Sequence, residues 1–190
     1  PAHRATLEKL RRALRDWLLT TRDAGFLTEP QMWERIGATG TPLELTRDDT
    51  KYPLVRLLDA ADLVGRPEAL PQQVKLLRDA DDGVRYWAAV GLQAAGKAAA
   101  PGREALREAL QDSCAVVCIE AGAALAELGE TTAPLRVLEQ ELRSLQADVA
   151  LHAARALQLL GDRARPAWPA MREICERARR EEKEAGDPAM

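Results

Sequence analysis

The sequence predicts an all-α protein: a right-handed solenoid of stacked helical hairpins, entered through a separate N-terminal helical segment. Composition is the first reason. Hydrophobic residues fill 46% of the 190 positions but aromatics only 4%, so the core must be made of Leu, Ala and Val. Ala, Leu, Arg, Glu and Gln dominate, all good helix formers, while β-branched residues are scarce. The second reason is an internal repeat with periods of 33 and then 32 residues. The third is punctuation: each copy has a Gly followed five residues later by a Pro.

From the N-terminus, Leu7, Leu10, Leu14, Trp17 and Leu18 form one apolar stripe, which predicts an amphipathic helix over 4–22 ending near Gly25. Thr28-Glu29-Pro30-Gln31 has the spacing of a capping box and opens a short helix that stops at Gly37. A loop with Gly40 and Pro42 is expected next. YPLVRLLDAADLVG (52–65) imitates the second helix of a repeat, with Gly65 lying 31 residues before Gly96. Residues 1–65 therefore read as an N-terminal helical segment containing a degenerate first repeat.

Residues 66–190 hold the repeats. GVRYWAAVGLQAAGKAAAP (83–101), VVCIEAGAALAELGETTAP (116–134) and DVALHAARALQLLGDRARP (148–166) align without a gap. Val84, Val117 and Val149 are equivalent, as are Ala88, Ala121 and Ala153, and Leu92, Leu125 and Leu157. Val84, Ala88, Leu92 and Ala95 fall on one helical stripe. Gly96, Gly129 and Gly161 suit the left-handed backbone that ends a helix, and Pro101, Pro134 and Pro166 suit the first turn of the next. Leu77, Leu110 and Leu142 recur on the first helix of each pair. A second apolar stripe (Tyr86, Ile119, Leu151) implies helices buried on two sides, as stacking on neighbouring repeats requires. From Pro166 a charged helix, with Glu173–Arg177 and Glu176–Arg180 spaced i, i+4, reads as a polar cap that frays after Glu184.

DDGVRYWAAVGLQAAG resembles the HEAT-like repeat: an Asp, then Val-Arg, paired Ala and a closing Gly. Later copies lose the Arg, with Cys118 and Ala150 where Arg85 stands. RRALRDWLLTTRDAGFLTEPQM (11–32), then YPLVRLLDAADL (52–63), then the repeats, resemble the C-terminal region of a family of bacterial sulfatases. In that family a catalytic domain of alkaline-phosphatase type precedes HEAT-like repeats. The resemblance implies a catalytic domain upstream of Pro1, consistent with a chain that begins without Met, and it implies export or periplasmic residence.

The chain itself offers little chemistry. A sulfatase centre needs a Cys or Ser in a Cys-x-Pro-x-Arg setting and an Asp/Asn calcium site. Cys175-Glu-Arg-Ala-Arg lacks the Pro, and the sequence contains no Asn. Cys114, Cys118 and Cys175 make no even disulfide framework and read as small core residues. A zinc site from Cys114, Cys118 and His152 would lack a fourth ligand. His3 lies in the loose N-terminus. Asp79, Asp81 and Asp82 fall in a turn, where Asp caps helix starts. No phosphate-binding Gly loop is present. The 27 basic and 30 acidic residues are interspersed, giving a net charge of −3, and no basic block suggests a nucleic-acid partner. No apolar run has the length of a membrane span, and no signal-peptide layout opens the chain.

The expectation is thus a non-catalytic interaction module without cofactor or metal, whose partner is another protein domain, first of all the upstream catalytic domain. The alternatives are an enzyme on a HEAT scaffold, of the bilin-lyase or DNA-glycosylase kind, and a scaffold unrelated to sulfatases. Trp87, Glu120 and His152 share one repeat position on the side away from both stripes, so they form a candidate partner-binding ladder, extended by Val116, Asp148 and Glu127. The competing expectation is that residues 1–65 fold back over Trp87, with Glu120 and His152 then ordinary solvated side chains.

Overall fold

The amphipathic N-terminal stretch forms helix α1 (Arg4–Thr21) in a computed structural model that describes residues 3–38 and 40–185. Regular structure among the described residues is all helical. α1 ends before Gly25, because Arg22 takes the left-handed conformation (φ 53°). Its side chain holds that turn, donating to the Thr46 carbonyl and pairing with Asp49 at 2.6 Å. Helix α2 (Glu29–Ile36) opens as its capping box predicts, with the Thr28 N–H donating to Gln31 Oε1 at 3.2 Å. It stops at Gly37, whose φ of 69° favours glycine.

The stretch expected to be a loop around Pro42 contains a further short helix, α3 (Pro42–Arg47). Thr41-Pro-Leu-Glu44 is a second capping box: Thr41 Oγ1 accepts from the Glu44 N–H (3.2 Å), and Glu44 Oε2 accepts from the Thr41 N–H (2.9 Å). Helix α4 (Leu54–Ala61) buries Leu54, Leu57 and Leu58. With Leu27, Ile36, Leu45 and Tyr52 they form a core that reaches Val84 of the first full repeat.

Three hairpins follow: α5 (Leu70–Leu76) with α6 (Asp82–Ala95), α7 (Arg103–Ala109) with α8 (Ala115–Glu127), and α9 (Thr132–Leu142) with α10 (Ala147–Leu160). Helices α4, α6, α8 and α10 pack side by side in sequence order, and α5, α7 and α9 each pack on their hairpin partner. The repeat register holds. Val84, Ala88 and Leu92, then Val117, Ala121 and Leu125, then Val149, Ala153 and Leu157 are all buried. Gly96, Gly129 and Gly161 take positive φ at the helix ends. The prolines sit differently from the expectation. Pro101 and Pro166 lie inside 3-10 turns (Gly96–Gly102 and Gly161–Ala167) that lead into the next helix, and Pro134 lies inside the first turn of α9. A proline lacks the N–H, and the first helical turn leaves its N–H groups without helical partners in any case.

Helix α11 (Trp168–Ala185) packs on α9 and on the 3-10 turn before it. The fraying expected after Glu184 falls at the edge of the described residues, and positions 186–190 lie outside them. Its ion pairs differ from the expected Glu173–Arg177 and Glu176–Arg180. Glu173 turns to Arg143 of α9 at 3.0 Å, and Arg177 pairs forward with Glu181 at 3.6 Å. The second apolar stripe also breaks. Tyr86 is half-buried and Ile119 fully buried, but Leu151 is 70% exposed, because α11 lies on the α9 side of α10 and leaves Leu151 uncovered. Cys114 and Cys118 are buried as expected, whereas Cys175 is exposed on α11 and is no core residue.

Candidate functional site

The ladder positions are occupied by Trp87 on α6, Glu120 on α8 and His152 on α10. They do not form an open surface. Trp87 is half-buried: its Nε1–H donates to the Phe26 carbonyl at 2.9 Å, and its ring lies 6.0 Å from that of Phe26. The N-terminal segment therefore folds back over Trp87, and the ladder loses its exposed anchor.

Glu120 and His152 do not become solvated side chains either. Glu120 is only 8% exposed, and its Oε1 lies 2.9 Å from His152 Nε2. A carboxylate can only accept, so Nε2 carries the proton of that bond. Tyr86 completes the group, with its ring 5.5 Å from Trp87 and 5.9 Å from His152, edge-on to both. Tyr86 belongs to α6 and His152 to α10, so the inner faces of these helices converge across α8. That convergence buries Glu120, and it buries Val116, which was expected to extend the exposed side. Asp148 is exposed and Glu127 half-buried. Burial, then the nearby charges of Glu120 and Glu29, push the Tyr86 phenol well above its ordinary range, so it stays protonated at neutral pH.

A carboxylate-oriented imidazole is an arrangement that general-base chemistry uses. The neighbouring thiols do not supply a nucleophile for it. Burial, then Asp82, pushes Cys114 up to about 12, and burial, then Asp112, pushes Cys118 up to about 11. Both are thiols, not thiolates, at neutral pH. Cys114 Sγ lies 3.5 Å from Asp82 Oδ2, and Cys118 Sγ donates to the Asp112 carbonyl at 3.1 Å. They do not converge with His152 on a metal, and no group of three metal-ligating side chains is found among the described residues.

The acidic turn is a clamp. Asp81 caps α6 by accepting from the Gly83 and Val84 N–H groups at 2.9 and 3.1 Å. Arg35 of α2 reaches Asp81 at 3.1 Å and Asp82 at 2.5 Å, and Gln31 Nε2 donates to Asp82 at 2.6 Å. Burial opposes ionisation of Asp82, but the Arg35 charge and the bonds from Gln31 and Arg35 hold its carboxyl below the usual carboxylate range. Arg85 extends the pattern to the next repeat through two 2.7 Å bonds to Asp112. Where Cys118 replaces Arg85, its thiol makes the equivalent bond to a turn carbonyl.

The exposed aromatic surface lies elsewhere. Trp33 stands on the rim of a cleft of about 660 Å³ between α2 and the starts of α8 and α10. Trp17 continues the α1 stripe of Leu7, Leu10 and Leu14, and α1 has no buried residue. The 7-10-14-17 spacing signalled that stripe, but not that it lacks a partner in the chain. No helix among the described residues is long and apolar enough to cross a membrane. No protein-family model matches the chain, and a search of curated proteins finds no match.

Proposed function

We propose that this chain is a non-catalytic interaction module, a right-handed solenoid of HEAT-like hairpins from the C-terminal part of a sulfatase-like hydrolase. Its role is to brace the catalytic domain or to bind another protein domain. The observation that carries this reading is α1: a helix of 18 residues in which none is buried, with its apolar stripe turned to solvent. Helices in proteins draw most of their stability from packing an amphipathic face, and a contiguous exposed apolar stripe marks a docking surface. α1 lies next to whatever precedes Pro1, so an upstream domain is the partner within reach. The order of the hairpins, each packed on its sequence neighbours, supports the solenoid. Export to the periplasm follows from the sulfatase context alone.

Two measurements test the reading. The coding sequence upstream of Pro1 should contain Cys-x-Pro-x-Arg, and a start codon directly before Pro1 removes the sulfatase context. In the longer parent chain, the α1 amides should exchange with solvent more slowly than in this chain by itself. Equal exchange rates would mean that α1 docks on nothing upstream.

One observation favours a second reading, an enzyme on the same scaffold: the Glu120–His152 pair with Tyr86 against it. The purified chain should not turn over an aryl sulfate, with or without calcium. Turnover that disappears in His152→Gln would replace the first reading with the second.

A further inference from the structure

Helix α10 ends the row of stacked helices, and its outer flank differs from that of α8. On α8 the flank turned to the next repeat is Ile119, Ala123 and Ala126, all buried in the core shared with α9 and α10. One period of 32 residues later the same positions hold Leu151, Arg155 and Gln158, and all three are exposed. Asp148, the counterpart of the buried Val116, stands one turn before Leu151 and is exposed as well. Spacings of three, four and three residues put Asp148, Leu151, Arg155 and Gln158 on one stripe.

A further repeat of the same kind does not fit this flank. Its helix would bury Arg155 where Ala123 lies, and a buried charge without a partner is strongly unfavourable. Nor is the flank wholly polar, since Leu151 is 70% exposed and Leu159 61%. Asp148 and Arg155 make no side-chain hydrogen bond or ion pair among the described residues. Seven residues, about 10 Å of helix, separate them, with Leu151 in between.

We propose that this flank is a homodimer interface, occupied by α10 of a second copy of the chain in an antiparallel, two-fold arrangement. An axis crossing α10 between Leu151 and His152 sets Asp148 of each copy at the level of Arg155 in the other. Two Asp–Arg pairs then flank a Leu151–Leu151 contact. A parallel pairing would instead set Asp148 on Asp148 and Arg155 on Arg155. Helix α11 packs on α9 and the 3-10 turn, and α2 meets the start of α10, where Asp148 shares a cleft with Glu34. Glu34 thus brings a second carboxylate to the end that receives Arg155 of the other copy. The surface is independent of the α1 stripe and of any upstream domain.

A patch of one helix per copy is at the small end of specific interfaces, so a reversible dimer with a Kd of about 10–100 μM is expected. Sedimentation equilibrium of the full chain, at concentrations on both sides of that value, reads it. Asp148→Arg or Arg155→Asp alone sets like charges together at both pairs and should weaken the dimer by at least about tenfold. Mixed in equal amounts, the two single variants should associate with each other, because one offers only cations and the other only carboxylates. Both reversals in one chain should restore the homodimer, and Leu151→Glu should abolish it. The three side chains are exposed, so circular dichroism should show an unchanged fold. The proposal is overturned by a chain that stays monomeric throughout, by a dimer that the single reversals leave intact, or by a mixture that fails to associate. A dimer abolished by Leu10→Gln with Leu14→Gln would belong to α1 and overturns it too.

Discussion

Helices α8 and α1 make opposite use of their sequences. In α8 every residue from Val116 to Ala126 is buried, Glu120 included, and the helix is apolar almost all round. In α1 the apolar and polar faces separate cleanly, and no residue is buried. An amphipathic pattern therefore states that a helix has a face to cover, not that its own chain covers it. The less patterned helix is the integrated one. It sits between α6 and α10 and against α7 and α9, and small residues at Ala121, Gly122 and Ala124 let those neighbours approach.

The largest effect should come from the centre of this contrast. Leu125 is fully buried at the middle of the stack, so Leu125→Ala should cost about 2–5 kcal/mol, as methylene removal from a packed core does. Urea denaturation reads it directly. A midpoint shift too small to resolve would show that the repeat register does not describe the packing.

Ion pairs sharpen the same comparison at lower magnitude. Arg35 has a 13% exposed side chain and holds Asp81 and Asp82, themselves 14% and 27% exposed. Arg35→Ala strands two half-desolvated carboxylates and unpins α2, for a loss of about 2 kcal/mol. Arg15 makes an outwardly similar contact from α1 to Asp59 and Asp62, which are 62% and 58% exposed. Arg15→Ala should cost under about 1 kcal/mol. Equal losses from the two variants would deny that burial separates the two regions.

The Arg35 clamp should also show in the pH dependence. The Asp82 carboxyl is held below its unfolded value, so its contribution is complete above about pH 4, the unfolded carboxylate value. It is lost as pH falls through the lower folded value. Thermal midpoints measured from pH 5 down to pH 2 should fall more steeply for the parent chain than for Arg35→Ala. Parallel curves would place the acid sensitivity elsewhere.

Much of the fold was legible because the repeat carries its own checks. A Val, an Ala and a Leu recur at equivalent positions, and a Gly with positive φ closes each helix. The segment around Pro42 is less legible: Gly40 and Pro42 signal a loop, while Thr41 and Glu44 carry a capping signature as clear as that of Thr28 and Gln31. The candidate site was the less legible part. Equivalence of Trp87, Glu120 and His152 predicts that they align, and it says nothing of curvature. The convergence of α6 and α10 over α8 turns an open ladder into a partly buried pair. Only the chemistry of Tyr86, Glu120 and His152, an aromatic, an acid and an imidazole at inward positions, hinted that these residues would meet one another.

The smallest effect on stability belongs to α1, and there its smallness carries the meaning. Leu10 and Leu14 are 62% and 56% exposed, so Leu10→Gln with Leu14→Gln removes little packing from this chain. The midpoint should move by no more than about 0.5 kcal/mol, as for ordinary surface substitutions. Leu18 lies on the same stripe one turn beyond Leu14, but at the end of α1 that packs on the core shared by α2 and α4, and Leu18→Gln should cost clearly more. The pair of variants separates two explanations of the stripe. If α1 is held by its own chain along its whole length, both parts of the stripe matter and both variants destabilise. If its stripe serves an outside partner, the double variant is silent here and loses affinity only when that partner is present. Joined to the proposed upstream domain, the double variant should then expose α1 to rapid amide exchange while Leu125 and its neighbours stay protected. A double variant that unfolds this chain as readily as Leu125→Ala would mean that the stripe is core after all, and the contrast between α1 and α8 would collapse.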